Sequence, residues 1–210
     1  MGTRHLTMVI QNKEPKVAQY GQWDGYPDGT GKNILEFFST NNERYSIKSK
    51  KNKGSHNSIN FKIFKDQIAK TKFLSNEELH KRWIEFDPSG KGMDLSTSKR
   101  FSLKYPALSR DTGSNVLQLI YDGKCYELQD SRDFAEDSLY CEWAYIIDLD
   151  KNTFEIYGGF NKESLNKNER FYNGKDINTK YYPVKHIHTF DLNNLPSEEK
   201  FLDILEEDSE

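Results

Sequence analysis

Two pairs of alternating runs, each closed by a short polar turn, constrain this chain more than anything else in it. Near the start, Leu6, Met8 and Ile10 alternate with Thr7, Val9 and Gln11 in a strand beginning at about Arg4. Asn12-Lys13-Glu14 supplies a turn, and Lys16 to Tyr20 reads as the returning strand. The second pair runs from Cys141 to Leu149, turns at Asp150-Lys151-Asn152 and returns through Thr153 to Phe160. Both of its arms alternate aromatic or aliphatic residues with polar ones, as a half-buried antiparallel sheet requires. Val184 to Leu192 reads as one more strand.

Helical spacing fills much of the remainder. Ile34, Leu35, Phe37 and Phe38 follow Thr30, which is placed to cap them. Phe61, Phe64 and Ile68 recur at helical intervals. Ser75-Asn76-Glu77-Glu78 is a capping box ahead of Leu79, Trp83 and Phe86, and Asp87-Pro88-Ser89-Gly90 ends that helix. Ser114 precedes Val116, Leu117, Leu119 and Ile120, with Gly123 closing them. Ser197 precedes Phe201, Leu202 and Leu205. The expected fold is α+β: an antiparallel sheet built from two or more hairpins and covered by helices, not a parallel nucleotide-binding sheet.

A chain of 210 residues suits a single domain. Its apolar share of 35% is lean, so the core must draw on 13 Phe, 12 Tyr and 3 Trp. A net charge of −3 with that many aromatics excludes a disordered chain and gives no strong nucleic-acid signal. The one basic run, Lys48, Lys50, Lys51 and Lys53, falls in a polar loop over about 42–58, and an acidic tail occupies about 206–210. Cys125 and Cys141 form no redox or metal pair, no apolar run is long enough to span a membrane, and no signal peptide opens the chain. The expectation is a cytoplasmic protein with no membrane attachment, no metal site and no cofactor.

Between the first hairpin and the first helix lies Gly21-Gln22-Trp23-Asp24-Gly25-Tyr26-Pro27-Asp28-Gly29-Thr30-Gly31, with four glycines in eleven residues. Such density permits positive φ angles and close approach of a partner to the backbone. The stretch from Gly25 to Lys32 fails the Walker pattern, because its spacing is off by one and Asn33 stands where Ser or Thr would hold magnesium. A glycine-rich turn entering a helix still offers free N–H groups to an anion, which makes Gly29, Gly31 and Lys32 candidate ligand contacts. Trp23 and Tyr26 offer stacking surfaces and Asp24 a fixed charge. Arg110-Asp111-Thr112, just before a helix start, is a second candidate contact region, its arginine suited to a phosphate or carboxylate. His186 and His188 are expected on one face of a strand, half of a metal site without a third ligand. His5-Leu6-Thr7 has the form of a phosphoesterase motif, but its only counterpart is His56-Asn57-Ser58 in a polar loop.

The opening Met1-Gly2-Thr3-Arg4, then a strand and a hairpin, resembles N-terminal-nucleophile hydrolases. That resemblance implies Thr3 as a nucleophile freed by cleavage after Gly2, with Arg4 and Asp24 in support. Ordinary methionine removal would leave Gly2, so self-cleavage would be required. Four blocks together resemble a family of bacteriophage and bacterial proteins: Met1-Gly2-Thr3-Arg4, Tyr20 to Pro27, Leu108 to Gly113, and Cys141-Glu142-Trp143-Ala144-Tyr145. The resemblance implies an accessory protein that engages a host protein or a nucleotide-like small molecule, with interference in host defence as the associated role. A structural domain of a larger assembly is the third reading.

Overall fold

The computed structural model describes residues 2–39, 59–174 and 180–207. The polar loop and its basic run, His56 and most of the acidic tail lie outside the described residues. The first hairpin joins β1 (His5–Gln11) to β2 (Glu14–Gly21). Asn12 and Lys13 both take positive φ, 56° and 63°, the geometry of a two-residue turn whose twist matches that of the strands. The polypeptide then passes through a wide turn at Pro27–Gly31 into α1 (Lys32–Phe38). Next come α2 (Phe61–Ile68), the short β3 (Lys72–Phe73) and α3 (Asn76–Phe86), the last opened by the capping box at Ser75. A helix not anticipated from the sequence, α4 (Leu95–Lys104), follows, with Asp94 capping it through the Thr97 N–H. After α5 (Val116–Tyr121), which closes at Gly123 with φ +71°, come β4 (Glu127–Leu128) and a 3₁₀ turn at Arg132–Glu136. The second hairpin pairs β5 (Trp143–Asp148) with β6 (Thr153–Gly158), and β7 (Lys185–Asp191) and α6 (Glu198–Glu207) complete the described chain.

The five-stranded sheet has the order β2-β1-β5-β6-β7. Its hairpins are antiparallel, as expected, but they are joined by a parallel pair, β1 with β5, running from His5 opposite Trp143 to Ile10 opposite Asp148. Parallel joining puts both hairpin turns at one end of the sheet. There the Asp150 carboxylate accepts the backbone N–H groups of Asn12 and Lys13, tying the two turns together. The opposite end gathers the start of β1, the exit of β2, the start of β5 and the exit of β6.

Among the described residues, the helices that pack on the sheet cover one of its faces. Val9, Val17, Tyr145, Ile147, Phe154 and Ile156 point from the sheet into a core shared with Ile34, Phe38, Phe64, Ile120 and Phe201. Each large side chain buried there contributes about 1.5–3 kcal/mol. Aromatic edge-to-face contacts, such as Phe38 on Phe64 and Phe37 on Phe38, supply the volume that a lean aliphatic content does not. The other face, built on Leu6, Met8, Ala144, Ile146 and Tyr157, is covered by the 3₁₀ turn and by irregular chain around Val184 instead of by helices.

Three local expectations need correction. His186 and His188 do not share a face. The β6–β7 register shifts between Ile156 and Tyr157, a bulge at Ile187. The His186 ring therefore packs edge-on against Tyr157, while His188 lies against Phe190 on the helix side. Thr30 does not cap α1. The helix follows Gly31 without a side-chain cap, and the Thr30 hydroxyl donates to the Asp24 carbonyl. Ser114 likewise leaves α5 uncapped, the residue ahead of that helix being Asn115.

Candidate functional site

The open end of the sheet is where the two candidate segments meet. The glycine-rich stretch folds back on itself: Gly25 N–H donates to the Thr3 carbonyl, Thr30 N–H to the Asp24 carbonyl, and Gly29 N–H to the Tyr26 carbonyl. Tyr145, fully buried, donates its hydroxyl to the Gly25 carbonyl at 2.8 Å. Asp24 alone in this loop takes a left-handed backbone, φ 57°; none of its glycines does. Their reason is close packing. A Cβ on Gly21 would stand 2.2 Å from the His5 ring, one on Gly25 2.7 Å from the Thr3 carbonyl, and one on Gly29 2.4 Å from the Asp24 carboxylate. Gly31 is buried against Tyr145 and Phe201. The glycine density thus answers to the protein's own atoms.

His5 is the post around which these segments wrap. It is 1% exposed, its Nε2 lies 3.5 Å from the Thr30 hydroxyl, and its Nδ1 has no hydrogen bond of good geometry. Burial lowers its pKa to about 4, opposed weakly by the Thr3 backbone, so the ring is neutral at ordinary pH. Thr7, two residues on, is also fully buried, and this enclosure is unlike a phosphoesterase histidine that must reach substrate.

The second segment docks against the first. Gln22 N–H donates to the Arg110 carbonyl at 2.9 Å, and the Trp23 indole N–H donates to the Asp111 carboxylate at 2.8 Å. Gly113, at φ +49°, closes on the His5 ring. Trp23, Arg110 and Asp111 therefore meet at one rim, with Asp24 beside Trp23 in the loop, despite the 88 positions that separate Trp23 from Asp111. Trp23 and Tyr26 remain half exposed, at 51% and 52%. The Arg110 side chain meets no hydrogen-bond or ion-pair partner among the described residues, whereas Arg4, Arg82, Arg100, Arg132 and Arg170 each have one.

The remaining candidates are turned elsewhere. Lys32 pairs with Glu198 of α6, and the Thr112 hydroxyl donates to the Pro106 carbonyl. Thr3 is 7% exposed, and its hydroxyl has no hydrogen bond to Arg4 or Asp24. Arg4 is engaged by Glu142 and lies over the Tyr140 ring.

A cleft of about 220 Å³ opens beside this rim, between the exit of β2 and the Ala107–Arg110 stretch. Tyr20 and Phe134 form its floor, edge to face with centroids 4.8 Å apart. Burial raises the Tyr20 pKa, with the Arg4 and Arg110 charges opposing. Sequence reasoning missed Tyr20, Phe134 and Ser131 here. Tyr20 looked like ordinary strand alternation, and nothing local connects it to residues more than a hundred positions later. Among the described residues no group of three or more His, Cys, Asp or Glu side chains could hold a metal, and no helix is long and apolar enough to cross a membrane. Compared with known protein families, with curated proteins and with solved structures, the chain matches none.

Proposed function

We propose that this is a binding protein of the phage accessory kind, engaging a host partner through the rim where the Gly21–Gly31 loop meets Arg110-Asp111. The observation that carries this reading is the Trp23–Asp111 hydrogen bond, which fixes one loop on the other while leaving the Trp23 face half exposed. Trp, Tyr and Arg are the residues that dominate interface energetics when their positions are fixed before contact. Here Trp23, Tyr26 and Arg110 have that character, with Asp24 adding a charge. Interference with host antiviral defence is the role this reading assigns, through the resemblance of the four sequence blocks.

The test is capture of a partner from host cells by the wild-type chain and by Trp23→Ala and Tyr26→Ala. Both variants should lose the captured protein while melting within a few degrees of wild type, since exposed substitutions usually change stability by about 0.5 kcal/mol or less. Retention of the same partner by both variants defeats the reading. The hydrolase alternative draws on one feature, the position of Thr3 two residues ahead of the interior strand β1. Intact mass decides it: a chain beginning at Thr3 supports the nucleophile, and a chain retaining Gly2 removes it.

A further inference from the structure

The cleft beside the rim shares Arg110 with the binding reading and adds features that reading does not use. Arg110 is the one charged residue among those lining it. The carboxylate nearest in sequence, Asp111, accepts the Trp23 indole N–H, and the Arg110 guanidinium forms no ion pair among the described residues. On the opposite lip, the Gln129 amide and the Ser131 hydroxyl also have no hydrogen-bond partner among the described residues. Apolar surface completes the lining: Ala107, Leu108 and the Tyr20–Phe134 pair.

The walls are held before any ligand arrives. Ser131 N–H donates to the Ala18 carbonyl at one side of the gap, and Gln22 N–H to the Arg110 carbonyl at the other. Between them the Gln19 amide bridges the carbonyls of Tyr20 and Ser109 at 3.0 and 3.2 Å. The cleft is thus an interruption in the covered edge of β2, fixed at both ends by backbone hydrogen bonds. A fixed site spares a ligand the ordering cost of shaping it.

We propose that this cleft binds a single aromatic ring bearing one carboxylate or phosphate, the ring against Phe134 and Tyr20 and the anion on Arg110. The space, about seven water molecules in volume, admits one ring and one anionic group but does not enclose a whole nucleotide. This deepens the binding reading and rests on it only in placing a ligand at this end of the molecule.

The probes are benzoate and phenyl phosphate, with acetate and inorganic phosphate as ringless controls, titrated at low salt by calorimetry or amide chemical shifts. One or both ring-bearing probes should bind with shifts centred on Tyr20 and Arg110, and which one binds tighter identifies the anion. Arg110→Ala should weaken that binding about tenfold or more, and Arg110→Lys should restore part of it. Arg110 contacts the fold through its backbone carbonyl, so these variants keep the structure. Failure of both probes at millimolar concentration, equal binding of acetate and benzoate, or no effect of Arg110→Ala overturns the site. Tyr26→Ala, outside the cleft lining, separates the two proposals: it should abolish partner capture and leave probe binding intact.

Discussion

His5 is where three stretches of chain close on one side chain, and two predictions follow from its enclosure. Gly21→Ala would drive a methyl into the imidazole, a clash that costs about 1–3 kcal/mol in a packed interior. In a His5→Ala background the same change should cost much less, and a double-mutant cycle by urea denaturation measures the difference. Equal costs in both backgrounds would show that the glycine serves something other than the ring. The second prediction concerns protons. Since the fold lowers the His5 pKa from 6.5 to about 4, the unfolded chain holds the proton more tightly. Stability should fall as pH drops through that window, by at most about 1.4 kcal/mol per unit. His5→Phe should remove this part of the slope, and denaturant melts between pH 7 and 4.5 on both proteins would reveal it. The sequence displayed the four glycines of the loop plainly but not their use, because a glycine chosen for positive φ and one chosen for close packing look identical until the neighbour is known. Asp24, with its left-handed backbone, is the residue that local chemistry could have singled out, as aspartate tolerates that conformation.

Between elements, the strongest polar fastening is Arg170, whose guanidinium spans Glu155 of β6 and Asp148 of β5 at 2.6 and 2.9 Å. Both carboxylates are nearly buried. Burial alone would raise their pKa values, and the bonds from Arg170, with the Lys151 and Asp150 N–H groups on Asp148, more than offset it. Arg170→Met removes the close cation shared by two nearly buried carboxylates and should cost about 3 kcal/mol or more at neutral pH. Because both groups are held below their ordinary values, the stability they confer is present above the unfolded pKa and lost as pH falls through the folded one. The gap between variant and wild type should therefore shrink in acid, and a gap independent of pH would refute the role. At the first hairpin, Lys13 adopts φ 63° without being glycine, so Lys13→Gly relieves left-handed strain of about 1–2 kcal/mol, partly offset by the freer unfolded chain, and should raise the melting temperature. Elements of this kind were the legible ones. Alternation and a two-residue turn are local, so both hairpins could be read from their own residues, as could the capping box at Ser75. What escaped was non-local or lacked an apolar face. The parallel pairing of β1 with β5 has no local signature. In α4 only Phe101 is buried while Leu95 and Leu103 are 92% and 76% exposed, so helical periodicity had no stripe to show, though Asp94 ahead of it was an available cap signal. The bulge at Ile187 misled for a related reason: one extra residue reverses the face of everything beyond it.

Across the whole molecule, stability is unevenly distributed. Helix α3 buries no residue completely and α4 buries only Phe101, whereas six of the seven residues of β1, His5 to Ile10, are buried. Amides of α3 and α4 should exchange with solvent well before those of β1 and β5, in local openings that leave the sheet intact. Hydrogen exchange followed by mass spectrometry checks this, and uniform protection across both regions would contradict it. The parallel joint at the centre of the sheet also has a consequence for the order of events during synthesis. β1 leaves the ribosome well before one of its two flanking strands, which lies 138 residues downstream, the separation between Asn12 and its partner Asp150. At about 5–20 residues per second, the first hairpin waits on the order of ten seconds with an apolar strand edge uncovered. Such an edge invites pairing with another nascent chain, which makes yield, more than final stability, the quantity most sensitive to translation rate and to chaperones that shield strand edges.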